Sequence, residues 1–128
     1  MDAKIKNLIE NLVIKTDKKE TKWERIGKSD QFLLSLSTGK VSVDKFVSKQ
    51  GTLVYQFVVY NDKGEGIITI NGIKKEGIFL EETDYEVIKK LHESVRHNYF
   101  KVDETIEGLL NETKMEGEIG KEPDDFPF

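Results

Sequence analysis

The stretch Thr52-Leu53-Val54-Tyr55-Gln56-Phe57-Val58-Val59-Tyr60 decides the fold. It carries no charge, and a strand over it would put Leu53, Tyr55, Phe57 and Val59 on one face. Val54, Gln56, Val58 and Tyr60 would occupy the other. Both faces are apolar enough to be covered at least in part, which puts this strand in the middle of a sheet.

Strand signals continue on either side. Upstream, Trp23-Glu24-Arg25-Ile26, Phe32-Leu33-Leu34-Ser35-Leu36 and Val41-Ser42-Val43-Asp44-Lys45-Phe46-Val47 have strand character. The last two are joined by Ser37-Thr38-Gly39-Lys40, a loop of hairpin length. Downstream, Asn61-Asp62-Lys63-Gly64 turns the chain into Gly66-Ile67-Ile68-Thr69-Ile70. Asn71-Gly72 then reads as a type I′ hairpin, and Gly77-Ile78-Phe79-Leu80 as a last short strand. The sum is an antiparallel meander of five or six strands.

Both ends are helical. Ile5, Leu8, Ile9, Leu12 and Val13 recur at helical spacing over residues 3–15, with Asp2 as N-cap. Thr83-Asp84-Tyr85-Glu86 fits a capping box. It opens a stripe of Tyr85, Ile88, Leu91, His92, Val95 and Tyr99, continued by Val102, Ile106, Leu109, Leu110 and Thr113. One long helix, or two with a break near Lys101 to Asp103 and Asp103 as the second cap, both satisfy the pattern. The expected fold is α+β, a curved antiparallel sheet with the N-terminal helix and the C-terminal helix or helical hairpin on one face. An oligonucleotide-binding barrel is the runner-up. It is disfavoured by the long C-terminal helix and by the lack of a helix between the third and fourth strands.

The 128 residues suffice for one domain with a core, expected over 1–114, followed by a flexible tail over 115–128. Cysteine is absent, which excludes disulfides and thiolate metal sites. No apolar run approaches a membrane span or a signal peptide, so a cytoplasmic protein with no membrane partner is expected. The net charge of −4 conceals an asymmetry. Residues 1–75 hold 14 basic and 9 acidic side chains, residues 76–114 hold 5 and 10, and residues 115–128 hold 1 and 5. The front of the chain is therefore basic and the back acidic.

Catalytic signals are lacking. His92 and His97 are five positions apart and point in different directions from a helix. Glu93 shares a face with His97 but has no third metal ligand beside it. Gly64-Glu65-Gly66 lacks the spacing of a phosphate loop. No enzyme, metal or cofactor is expected.

Single-strand binders combine a basic groove with rings on which bases stack. The basic front half offers Lys22, Arg25, Lys40, Lys45 and Lys49 for such a groove, with Trp23, Phe46 and Tyr60 as rings on the sheet's open face. The competing reading makes Trp23 and Phe46 ordinary core. A homodimer is expected as well, because a long apolar helical stripe on a small domain calls for a second copy.

The tail ends in Asp124-Asp125-Phe126-Pro127-Phe128, after the polar, Gly-rich run Met115-Glu116-Gly117-Glu118-Ile119-Gly120-Lys121-Glu122-Pro123. This ending resembles the C-terminal tip of bacterial single-stranded DNA-binding proteins, an acidic tail closing in Asp-Asp-x-Pro-Phe. The resemblance covers the last five to fourteen residues. It implies a docking peptide for DNA-processing enzymes: Phe128 fills an apolar pocket, basic residues hold its carboxylate with Asp124 and Asp125, and Pro127 stiffens the turn. The physics is compatible with that use, since Phe loses few rotamers on binding and carboxylates steer toward basic partners. The body resembles small bacterial α+β proteins only diffusely, which implies no function. Two functions follow as expectations. One is a single-stranded DNA-binding or replication and repair accessory protein whose tip recruits enzymes. The other is an adaptor or inhibitor that uses the tip without touching DNA.

Overall fold

An α-helix leads into five strands that run back and forth as a meander, and two more helices follow. The computed structural model describes residues 1–122. The helix α1 (Ala3–Asp17) leads into β1 (Glu24–Arg25), β2 (Phe32–Ser35), β3 (Lys40–Val47), β4 (Leu53–Tyr60) and β5 (Gly66–Ile73). Then follow α2 (Asp84–Tyr99) and α3 (Val102–Thr113). The sheet order is β1-β2-β3-β4-β5, antiparallel throughout, so β4 is internal as its two apolar faces require. Among the described residues β1 and β5 are the two edges, and the sheet is open rather than closed into a barrel.

Among the described residues five strands form, without a sixth. Asn71 and Gly72 lie within β5, paired with Gln56 and Tyr55, and residues 77–80 are irregular. Gly72 is needed for another reason than a turn: a Cβ there would sit 2.6 Å from the Tyr85 Cα. Only a residue without a side chain lets the start of α2 rest on the sheet. The turns that do form are Ile26 to Gln31, Leu36 to Gly39, Ser48 to Thr52 and Asn61 to Glu65. In the last of these the Asn61 side chain accepts the amides of Lys63 and Glu65.

One face of the sheet carries Phe32, Leu34, Val41, Val43, Tyr55 and Phe57, all buried against Ile9, Leu12, Val13, Ile88, Leu91 and Val95 of the helices. Asp2 caps α1, accepting the Lys4 amide at 2.6 Å. Thr83 caps α2 through the Glu86 amide at 3.3 Å, and only this half of the expected box forms. Met1 reaches Asp84 at the start of α2, and Asp17 at the end of α1 bonds Ser94. The two helices therefore run parallel across the same face.

The helical stripe does break. Phe100 ends α2 and Lys101 takes a left-handed conformation, φ 52°, so α3 leaves in a new direction. Asp103 is not its cap. Instead its carboxylate pairs with His97 Nε2 at 3.0 Å, across the corner. No helix among the described residues is long and apolar enough to cross a membrane.

Candidate interaction site

The side chains expected to form a nucleic-acid groove are distributed over three regions. Trp23 shares the register side of Arg25 and Phe32 and is buried in the core, 8% exposed. Its indole N–H donates to Thr16 Oγ1 at 3.1 Å, which satisfies the one polar atom of the ring. Trp23 is thus unavailable for stacking, and its expected place on the open face is corrected to the helix-covered side. Lys45 is corrected in the same way. It alternates with Val41 and Val43, and its ammonium lies 5.8 Å from the ring centre of its cross-strand partner Tyr55. Arg25 is spent locally. Its guanidinium donates to the carbonyls of Ser29 and Lys28 and stacks over Phe100 at 5.1 Å. Lys22 is exposed on the link preceding β1, and Lys49 on the turn between β3 and β4.

Phe46 and Tyr60 do share the uncovered face, both half-buried. Phe46 stands opposite Val54 at one end and Tyr60 opposite Lys40 at the other, separated by six positions of strand. That is about 20 Å, with Asp44 and Gln56 between, too far for consecutive bases to stack on both. Only Lys40 and Tyr60 stay together. They line a shallow cleft of about 270 Å³ with Ile26, Gln31, Leu33 and Gly64. The Tyr60 hydroxyl stands 3.4 Å from Ser42 Oγ.

The C-terminal end has a different character. α3 contains no buried residue: Ile106, Leu109 and Leu110 are each about half exposed, beside Phe100 at 39%. It is tied to the body at its first turn through His97–Asp103 and an ion pair between Lys19 and Glu104. That pair draws the Glu104 carboxyl below its ordinary range and raises the Lys19 ammonium. Beyond α3, residues 115–122 are exposed throughout. The expected tip, Asp124 to Phe128, lies outside the described residues.

His92 is the one histidine in the interior, 1% exposed between the rings of Phe32 and Tyr55. Burial pushes its pKa down, against an opposing bond to the Asp30 carbonyl. It is a packed member of the stripe. Among the described residues no group of three potential ligands converges. The chain matches no protein-family model, no curated protein and no solved structure.

Proposed function

We propose that the protein is an interaction adaptor whose acidic-aromatic segment, Asp124 to Phe128, docks onto DNA-processing enzymes. The observation that supports this reading is the accessible path to the segment. Beyond the first turn of α3, which Asp103 and Glu104 tie to His97 and Lys19, no residue through Glu122 is buried, so this stretch is open to a partner. Phe128 serves as the anchor in a partner's apolar pocket. Asp124 and Asp125 address basic residues at the pocket's rim, and Pro127 lowers the ordering cost. The partner class comes from the resemblance of these five residues to the single-stranded DNA-binding protein tip. The test is binding of the full chain, and of Phe128→Ala, to enzymes that recognise such tips. Expected is micromolar-range, salt-sensitive binding lost at least tenfold in the variant. Equal binding by both would remove the anchor role and with it the reading.

A second reading, single-stranded DNA binding by the body, is favoured by one observation. Lys40 and Tyr60 adjoin a cleft on the uncovered face. One ring and one cation support weak binding only, since a stacked base contributes about 1–3 kcal/mol. Fluorescence anisotropy of labelled poly-dT at low salt tests it, with Tyr60→Ala as the variant that abolishes the signal.

A further inference from the structure

The two edges of the sheet are unlike. β1 is two residues long and both are charged, Glu24 and Arg25, which is how an edge is normally kept from pairing. β5 runs eight residues, Gly66-Ile67-Ile68-Thr69-Ile70-Asn71-Gly72-Ile73, without a charge or a proline. Its inner side pairs with β4. On its outer side, no other described segment makes a backbone hydrogen bond to it. Ile67 and Ile73 are 58% and 46% exposed. The loop that follows carries Ile78 and Leu80 wholly in solvent. Along the strand itself the protective device is a bulge at its first residues, opposite Val59 and Tyr60, and among the described residues the start of α1 borders Ile68 to Asn71 across a cleft.

We infer that β5 pairs antiparallel with β5 of a second copy, joining two sheets into one across a two-fold axis at Ile70. The sequence of the strand is self-complementary in that register. Ile70 meets Ile70, Thr69 meets Asn71, Ile68 meets Gly72, and Ile67 comes to Ile73. Matching residues of the two chains share a face, so the helix-covered sides stay together and the core is not inverted. The charges that flank the strand agree. Glu65 precedes it and Lys74 and Lys75 follow it, so antiparallel pairing sets each Glu65 opposite the other copy's Lys75. A parallel arrangement would put like charges side by side.

The strands alone do not make an interface of ordinary size, which buries roughly 800 Å² per partner. The loop supplies what is missing. Phe79 and Leu80 border a cleft of about 440 Å³ with Met1, Asn71, Ile73 and Tyr85. In the antiparallel pair this end of one chain faces the exposed Ile67 of the other. Two-fold pairing of an edge closes on itself, giving a dimer rather than a fibre. It also brings two Asp124–Phe128 segments into one particle, which raises the avidity of any partner that presents two pockets.

Sedimentation equilibrium of the full chain tests this, with two double variants at the exposed positions 69 and 71. Thr69→Lys with Asn71→Lys opposes like charges twice across the axis. Thr69→Lys with Asn71→Glu opposes unlike charges at the same places. Expected is a wild-type dimer, a dissociation constant raised at least 100-fold in the first variant, and recovery to within tenfold of wild type in the second. Far-UV circular dichroism confirms that both remain folded, as neither position is buried. A monomeric wild type at the highest concentration overturns the inference. So does a dimer indifferent to the first variant, which would move the contact to another face such as α3. Loss of dimer in both variants overturns the register.

Discussion

His92 Nε2 stands 2.6 Å from the carbonyl oxygen of Asp30, a bond that spans 62 positions of chain and ties the middle of α2 to the loop entering β2. A carbonyl only accepts, so Nε2 carries the proton and donates. Nδ1 is then a bare acceptor, and it has no partner in its buried site. Burial favours the neutral form of the ring.

From this follows a pH dependence of stability. Burial lowers the folded pKa of His92, while the unfolded chain titrates near about 6.5. Between those values the unfolded state binds more protons. The stabilisation is thus complete above about pH 6.5 and is lost as pH falls below it, by at most about 1.4 kcal/mol per pH unit. Asp30, Asp44 and Lys45 are the charged groups nearby that modulate the shift. Urea unfolding at pH 7.5 and 5.5 should show a drop in the wild type and a smaller one in His92→Phe. Equal drops would remove His92 as the cause.

Gly72→Ala should destabilise the protein by about 2–3 kcal/mol. The new methyl meets backbone atoms of Tyr85 at 2.6 and 2.7 Å, and α2 must lift to admit it. Gly108→Ala in α3 provides the contrast. Nothing lies within 4 Å of that position, so the variant gains about 0.5–1 kcal/mol from helix propensity alone. Thermal unfolding of the two variants should move in opposite directions.

Trp23 is the only tryptophan, so its emission reports the core. It should be blue-shifted, and saturating poly-dT should leave it unquenched, because the ring is enclosed and bonded to Thr16. Thr16→Val leaves the indole N–H buried without an acceptor and should cost about 1–3 kcal/mol. Quenching by the oligonucleotide would show that the ring can leave the core.

A truncation ending at Lys114 should unfold at the same temperature as the full chain. Residues 115–122 are all exposed, Ile119 at 46%, so their removal takes little packing from the body. A fall of several degrees would mean that the tail packs on the domain.

Much of this fold was legible in the sequence. The alternation through residues 53–60 located the internal strand, the spacing of Ile5 to Val13 located α1, and Asp2 and Thr83 marked their helix starts. These are local signals, set by the period of the backbone and by short-range hydrogen bonds. Lys45 was legible too, since it alternates with Val41 and Val43. Gly72 was not, because a glycine for a turn and a glycine under a helix look alike in one dimension. Only the tertiary structure decided that Trp23 is core, that Phe46 and Tyr60 lie at opposite ends of one face, and that β5 is left as an open edge. Each depends on the pairing register and on where α2 crosses the sheet. Those are relations between residues distant in the chain, and no local pattern encodes them.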